Sequence, residues 1–286
     1  MKDFLHTKTL WIISLLIATI LAVSAAPLLA EEGTPTGDVS VAVLSKYIWR
    51  GQELSRDSIV IQPSATIGYN GFSANVWGNL DTSPYYSGID PDKSYSTNWT
   101  ETDLTLSYSK TLGMFNLTGG YIYYGLNAAN ADSADLLDSQ EIFVSVGLDI
   151  LFSPALTVYK DIDHYHQWYF LLGVSHAFEL NEVISLELAA TASYLMSDDE
   201  STYPEYDDDA TTDYSDKFRG FHDGTLTVSL PIQATSYITL TPTISYVFPL
   251  SDDAENEMKG RGMSGAPVTD HDSSFLYGGL IAGFAF

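Results

Sequence analysis

The last fifteen residues, Asp272 to Phe286, constrain the fold of this chain more than any other stretch. Read in steps of two from the end, Phe286, Phe284, Ala282, Leu280, Gly278 and Leu276 fall on one face of a β-strand, because strand side chains alternate with period 2. The other face holds Ala285, Gly283, Ile281, Gly279 and Tyr277, which are mostly small. Chain ends usually fray, so an apolar strand that closes on a terminal aromatic needs a partner strand. A sheet whose last strand pairs with its first meets that need and leaves no open edge.

Upstream, the chain from residue 38 onward repeats segments about ten residues long with alternating polarity, separated by turn signals. The first runs from Asp38 to Gly51, with Val39, Val41, Val43, Tyr47 and Trp49 on one face. The second sets Ile59, Ile61, Ala65, Ile67 and Tyr69 against Gln62, Ser64, Thr66 and Asn70. Asn70-Gly71 then predicts a tight hairpin, since both residues tolerate positive φ. Phe72, Ala74, Val76, Gly78 and Leu80 return along the outward face, opposite Ser73, Asn75, Trp77, Asn79 and Asp81. Further strands are expected near 98–110, 115–126, 139–149, 155–163, 166–179, 183–196, 221–230, 236–250 and 273–286, twelve in all.

Short turns at 70–71, 110–114, 150–154, 179–182 and 231–235 alternate with connections that are mostly longer and acidic, at 82–97, 127–138, 197–220 and 251–272. Shorter members of the second class lie near 52–58 and 163–165. Short periplasmic turns, longer outer loops and an even strand number describe a bacterial outer-membrane barrel with both termini in the periplasm. The expected fold is therefore all-β, a transmembrane antiparallel β-barrel of about 12 strands over residues 38–286. Residues 1–30 read as a cleaved signal peptide, with Lys2 and Lys8 before a short apolar core, and 31–37 as a short periplasmic segment. Cleavage after Ala25 instead of Ala30 also fits the small-residue region.

Aromatic residues are expected to form two girdles around an aliphatic band. Tyr47, Trp49, Tyr121, Tyr123, Tyr194, Tyr246 and Phe248 would face lipid at the external rim, and Tyr69, Phe72, Tyr108, Phe115 and Phe286 at the periplasmic rim. In the eighth strand both rows, one from Trp168 to Phe178 and one from Tyr169 to Ala177, are apolar, so alternation leaves its parity open. Phe286 and Phe284 are read as the assembly signal.

The expected lumen gathers charge in its external half. Lys46, Arg50, Glu101, Asp103, Glu141, Asp161 and Asp223 form the predicted constriction, with Arg50 at the end of the first strand and Lys46 one layer below it. Such a ring can select a permeant ion. It can also be a salt-bridge network that plugs a barrel of intermediate width, since buried charges need partners. Acids outnumber bases in the set, which favours weak cation selectivity. Without residues 1–30 the chain carries 10 basic and 36 acidic residues, an excess that argues against nucleic acid as a partner. There is no cysteine, so thiolate metal sites and disulfides are excluded.

No cofactor is expected. The outer loop 197–219 is rich in Asp and Glu and offers weak Ca²⁺ or Mg²⁺ binding, but its spacing matches no defined ligand loop. Asp161, Asp163, His164 and His166 are a weaker metal candidate at the rim. A lipid-modifying barrel enzyme is an alternative, with His222 beside Asp223 at the right height but no serine assignable to it. A structural or adhesive barrel is the third class. The expected partners are outer-membrane lipid and lipopolysaccharide, the barrel assembly machinery and small solutes.

At the first strands the pattern becomes more specific. Ser45-Lys46-Tyr47-Ile48-Trp49-Arg50-Gly51, Gln62-Pro63 and Gly71-Phe72-Ser73-Ala74-Asn75-Val76-Trp77-Gly78-Asn79 resemble the opening of the TorF family of bacterial porins. The resemblance implies an outer-membrane barrel and covers roughly the first sixty residues after the leader; beyond them only the alternation agrees. It carries over Arg50 and Gly51, with Trp49 where the family often has Phe.

Overall fold

A computed structural model describes residues 33–55, 58–84, 97–126, 138–206, 212–261 and 271–286. The period-2 segments form twelve long strands: β1 (Thr36–Leu44), β2 (Val60–Tyr69), β3 (Phe72–Asp81), β4 (Asn98–Leu112), β5 (Phe115–Leu126) and β6 (Ser139–Leu148). They continue as β7 (Ala155–Asp161), β8 (Gln167–Glu179), β9 (Ser185–Ser197), β10 (Arg219–Ser229), β11 (Ile238–Pro249) and β12 (Phe275–Ala285). Each pairs antiparallel with its neighbours in sequence, and β12 pairs with β1 from Asp38↔Ala285 to Leu44↔Gly279, closing the barrel. The expected leader, residues 1–30, lies outside the described residues.

Closure reaches the last residue. Phe286 and Gly37 exchange two backbone hydrogen bonds of 2.9 Å, N–H to C=O in each direction. A Cβ on Gly37 would lie 2.5 Å from the Phe286 ring, so a larger residue there would displace the ring from the seam. At the same end, Asn70 and Gly71 take φ of 49° and 83°, the left-handed pair that the predicted hairpin requires.

The outer wall is apolar. Ile67, Val76, Val144, Leu226 and Leu280 are exposed between the rims, and Tyr69, Phe72, Tyr108, Phe115 and Phe286 ring the short-turn end. No helix among the described residues is long and apolar enough to cross a membrane; the crossing elements are strands. A bilayer core offers backbone groups no water, so only helices or a closed barrel can span it. This closed sheet with its aromatic and aliphatic exterior is a bacterial outer-membrane barrel, long loops outward.

Two expectations are corrected here. The first strand ends at Leu44, not Gly51, and Tyr47 is 2% exposed inside the barrel; Trp49 also packs on the buried core. Neither belongs to the external girdle, and Arg50 and Lys46 are not successive layers of β1. The parity of β8 is now resolved. Leu172, Val174 and Phe178 face lipid, while Tyr169 and Leu171 are buried inward, because Phe170 sits beside Val158 of β7 and Tyr194 of β9.

Candidate functional site: the external half of the lumen

After Leu44 the chain turns into the barrel. Ile48–Trp49 and Gln52–Glu53 pair as a small hairpin, braced where the Leu54 amide donates to the Tyr47 carbonyl at 2.8 Å. Its tip is Arg50-Gly51, with φ of 47° and 77°. A two-residue turn of this hand suits Asn-Gly, and a left-handed arginine costs about 1–2 kcal/mol. Gly51 is needed because a Cβ there would press to 3.1 Å on Met258 and 3.2 Å on Asp223.

The strained arginine is held by the wall. Arg50 Nη1 and Nη2 donate to Glu141 Oε1 and Oε2, each at 2.7 Å, and the Tyr124 hydroxyl adds a hydrogen bond of 2.9 Å to Oε2. The guanidinium also lies 4.6, 4.9 and 4.3 Å from the ring centroids of Trp49, Tyr159 and Tyr169. Burial by itself would lower the Arg50 pKa, but Glu141 beside it makes the net shift upward. A forked, fully paired guanidinium among aromatic faces is the geometry for which arginine is suited and lysine is not.

A second insertion follows β11. Ser251 caps helix α1 (Asp252–Gly260), its hydroxyl accepting from the Ala254 amide at 3.1 Å. Ala254, Glu257 and Met258 are buried. Glu257 accepts from His222 Nε2 at 2.7 Å and pairs with Arg261 at 2.6 Å, and the Arg261 guanidinium sits 3.5 Å over the Tyr203 ring. The Tyr203 hydroxyl in turn accepts from Gln52 Nε2 at 3.1 Å, which ties helix and hairpin together.

Two β-bulges reset which side chains point inward. Between β9 and β10 the register slips from Ala192↔Gly224 to Tyr194↔Phe221, so His222 and Asp223 both oppose Ser193 and both are buried. Asp223 accepts from Ser193 Oγ at 2.7 Å and from the Tyr169 hydroxyl at 2.9 Å, and contacts His222 Nδ1 at 2.9 Å. Between β3 and β4 the register slips after Asn79↔Glu101, so Glu101 keeps the inward parity of Asp103 while Trp99, two residues away, turns out.

The predicted constriction residues are thus gathered at one end of the lumen, with partners that alternation alone did not indicate. Lys46 pairs with Glu53 at 2.5 Å, within the hairpin. Asp161 takes backbone hydrogen bonds from residues 163, 165 and 166 and the Ser139 hydroxyl, so it shapes the turn after β7. That use leaves the rim metal candidate without its first ligand, and among the described residues no group of three or more His, Asp or Glu could hold a metal ion. In the outer loop, Asp198 is bound by Lys160 at 2.5 Å and Asp199 by Ser201; residues 207–211 of that loop lie outside the described residues. Both ring nitrogens of His222 are engaged by carboxylates, so neither is free for a serine.

Sequence reasoning missed Glu53, Tyr124, Tyr159, Tyr169, Tyr203, Glu257 and Arg261. The inward parity of Tyr124, Tyr159 and Tyr169 was readable on their strands; the contributions of the loops were not. Toward the short-turn end the inner wall changes character. Hydroxyl pairs such as Thr227–Ser245 and Ser229–Thr243, each at 2.9 Å, run along it, with Asp38 and Glu187 half-buried among them.

No family model matches the sequence, and no curated protein matches it, so the TorF resemblance gains no support there. Solved structures similar in fold include the NanC porin, at 13% identity over 87% of this chain and 98% of that one, with a TM-score of 0.48. An outer membrane channel from Pseudomonas putida F1 shares 9% identity over 90% of this chain and 96% of that one, with a TM-score of 0.44. Likenesses this distant decide nothing about function. What the molecule's own closed sheet and lipid-facing wall establish is a twelve-stranded bacterial outer-membrane β-barrel whose external lumen is filled by its own loops.

Proposed function

We propose that this barrel is an outer-membrane channel for small solutes or ions, weakly cation-selective, with its external half narrowed by the hairpin at residues 45–55 and by α1. The observation that carries the reading is the contrast between the two faces of the wall. The outer face is apolar, whereas the inner face is lined by Ser, Thr and Asn toward the periplasm and by charge toward the exterior. A polar inner surface is what a water-filled path through an apolar membrane requires. The TorF-like opening of the sequence agrees with this class. Selectivity follows from composition: Glu101, Asp103, Glu141, Asp161 and Asp223 outnumber Arg50 and Lys46, and a low-dielectric wall focuses that field.

A plugged structural barrel is the second reading, favoured by the 7% exposure of Arg50 and its full set of partners. Planar-bilayer recording of the refolded chain separates the two. Stepwise conductance whose reversal potential favours cations, less so at high salt, supports the channel. Anion preference would remove the selectivity argument, and silence under all voltages would leave the plug.

A further inference from the structure

Glu101 and Asp103 stand two apart on β4, both inward, 5% and 3% exposed. They lie within hydrogen-bond reach of one another. Neither has a basic partner among the described residues, for Arg50 is committed to Glu141 and Lys46 to Glu53. Asp103 Oδ1 is buried with no hydrogen-bond partner. The hydroxyl of Tyr47, on the inserted hairpin, is also buried without a well-formed hydrogen bond and lies beside Glu101. Across the strand pair, Asn79 faces Glu101 and Trp77 faces Asp103. Two adjacent carboxylates out of water cannot both stay ionised without a compensating charge. Every other described carboxylate at this level has one or is spent on hydrogen bonds: Glu141 on Arg50, Asp223 on His222, Asp161 on backbone amides.

We infer that Glu101 and Asp103, with the Tyr47 hydroxyl, bind one hard divalent cation inside the lumen. Oxygen-only donors suit Ca²⁺ or Mg²⁺, and a double positive charge matches the pair. Water completes the coordination. Because Tyr47 arrives on the hairpin while the carboxylates belong to the wall, the ion fastens the insertion to β4. The inference takes from the channel reading only that the lumen admits small ions.

The test uses the full refolded barrel in detergent, at constant ionic strength, with Ca²⁺ and Tb³⁺ as probes. Ca²⁺ should raise the melting temperature saturably, and Tb³⁺ should give luminescence sensitised by Tyr47 and Trp77, whose rings lie 5.6 Å apart. Glu101→Gln with Asp103→Asn should abolish both responses, while an outer-loop variant, Asp198→Asn with Asp199→Asn, keeps them. The heat-modifiable gel shift confirms that each variant is folded; if the double variant does not fold, Asp103→Asn alone must show the weakened binding. No Ca²⁺ response in the unmodified protein, as expected if the pair shares a proton instead, overturns the inference. So does an undiminished response in the folded variant. Saturable binding without conductance would leave this site standing and remove the channel, and conductance without binding would do the reverse.

Discussion

The two halves of this lumen share the same twelve strands and differ in what fills them. Toward the periplasm the wall is lined by small hydroxyl side chains that bond to one another across strands, as in Ser109–Thr118 and Thr157–Ser145. Toward the exterior the same strands carry Tyr124, Phe143, Tyr159, Tyr169 and Leu195, which form a buried cluster with Tyr203, Phe218 and Ala254 from other segments. The wall is thus a generic barrel in one half and the receptor for its own loops in the other. Barrel stability and lumen occupancy are therefore separable properties.

The largest expected effect tests what the halves share. Deleting Phe286 removes both seam hydrogen bonds to Gly37 and the aromatic end of β12, and should leave almost no heat-modifiable barrel in the outer membrane; normal levels would show that closure does not need it. Next, replacing residues 46–54 by a short Gly-Ser link should spare folding yet raise single-channel conductance severalfold. If the barrel collapses instead, the external half is structural and the separation fails. Arg50→Ala leaves Glu141 buried without its partner, which costs about 3–5 kcal/mol. Urea unfolding should show that loss, and Arg50→Ala combined with Glu141→Gln should recover part of it. The smallest effect belongs to the periplasmic half: Thr227→Ala removes one hydroxyl bond, worth about 1 kcal/mol, and should leave conductance unchanged.

These contrasts also explain what could be read in advance. The twelve strands were legible because one apolar and one polar face alternate with fixed period, and because turns such as Asn70-Gly71 have their own chemistry. The hairpin was not. Tyr47 and Trp49 continue the spacing of Val39, Val41 and Val43, so an inserted aromatic pair looks the same as an external girdle. Arg50-Gly51 was the available signal, since a glycine after a polar residue fits the tip of a tight turn better than the end of a strand. The inward placement of both His222 and Asp223 depends on a bulge, and a single extra residue leaves no periodic trace. The constriction residues came from alternation, but their partners lie on loops whose approach only the folded barrel determines.

The seam between β1 and β12 makes the first strand serve both ends of the chain. β1 gains its second neighbour only when the final strand of the chain is in place, and the hairpin that fills the lumen is the continuation of β1. Glu141, in the middle of the sequence, meets Arg50 at the end of that continuation. Filling and closure thus draw on the same strand, closure through its backbone edge and filling through the chain that leaves it.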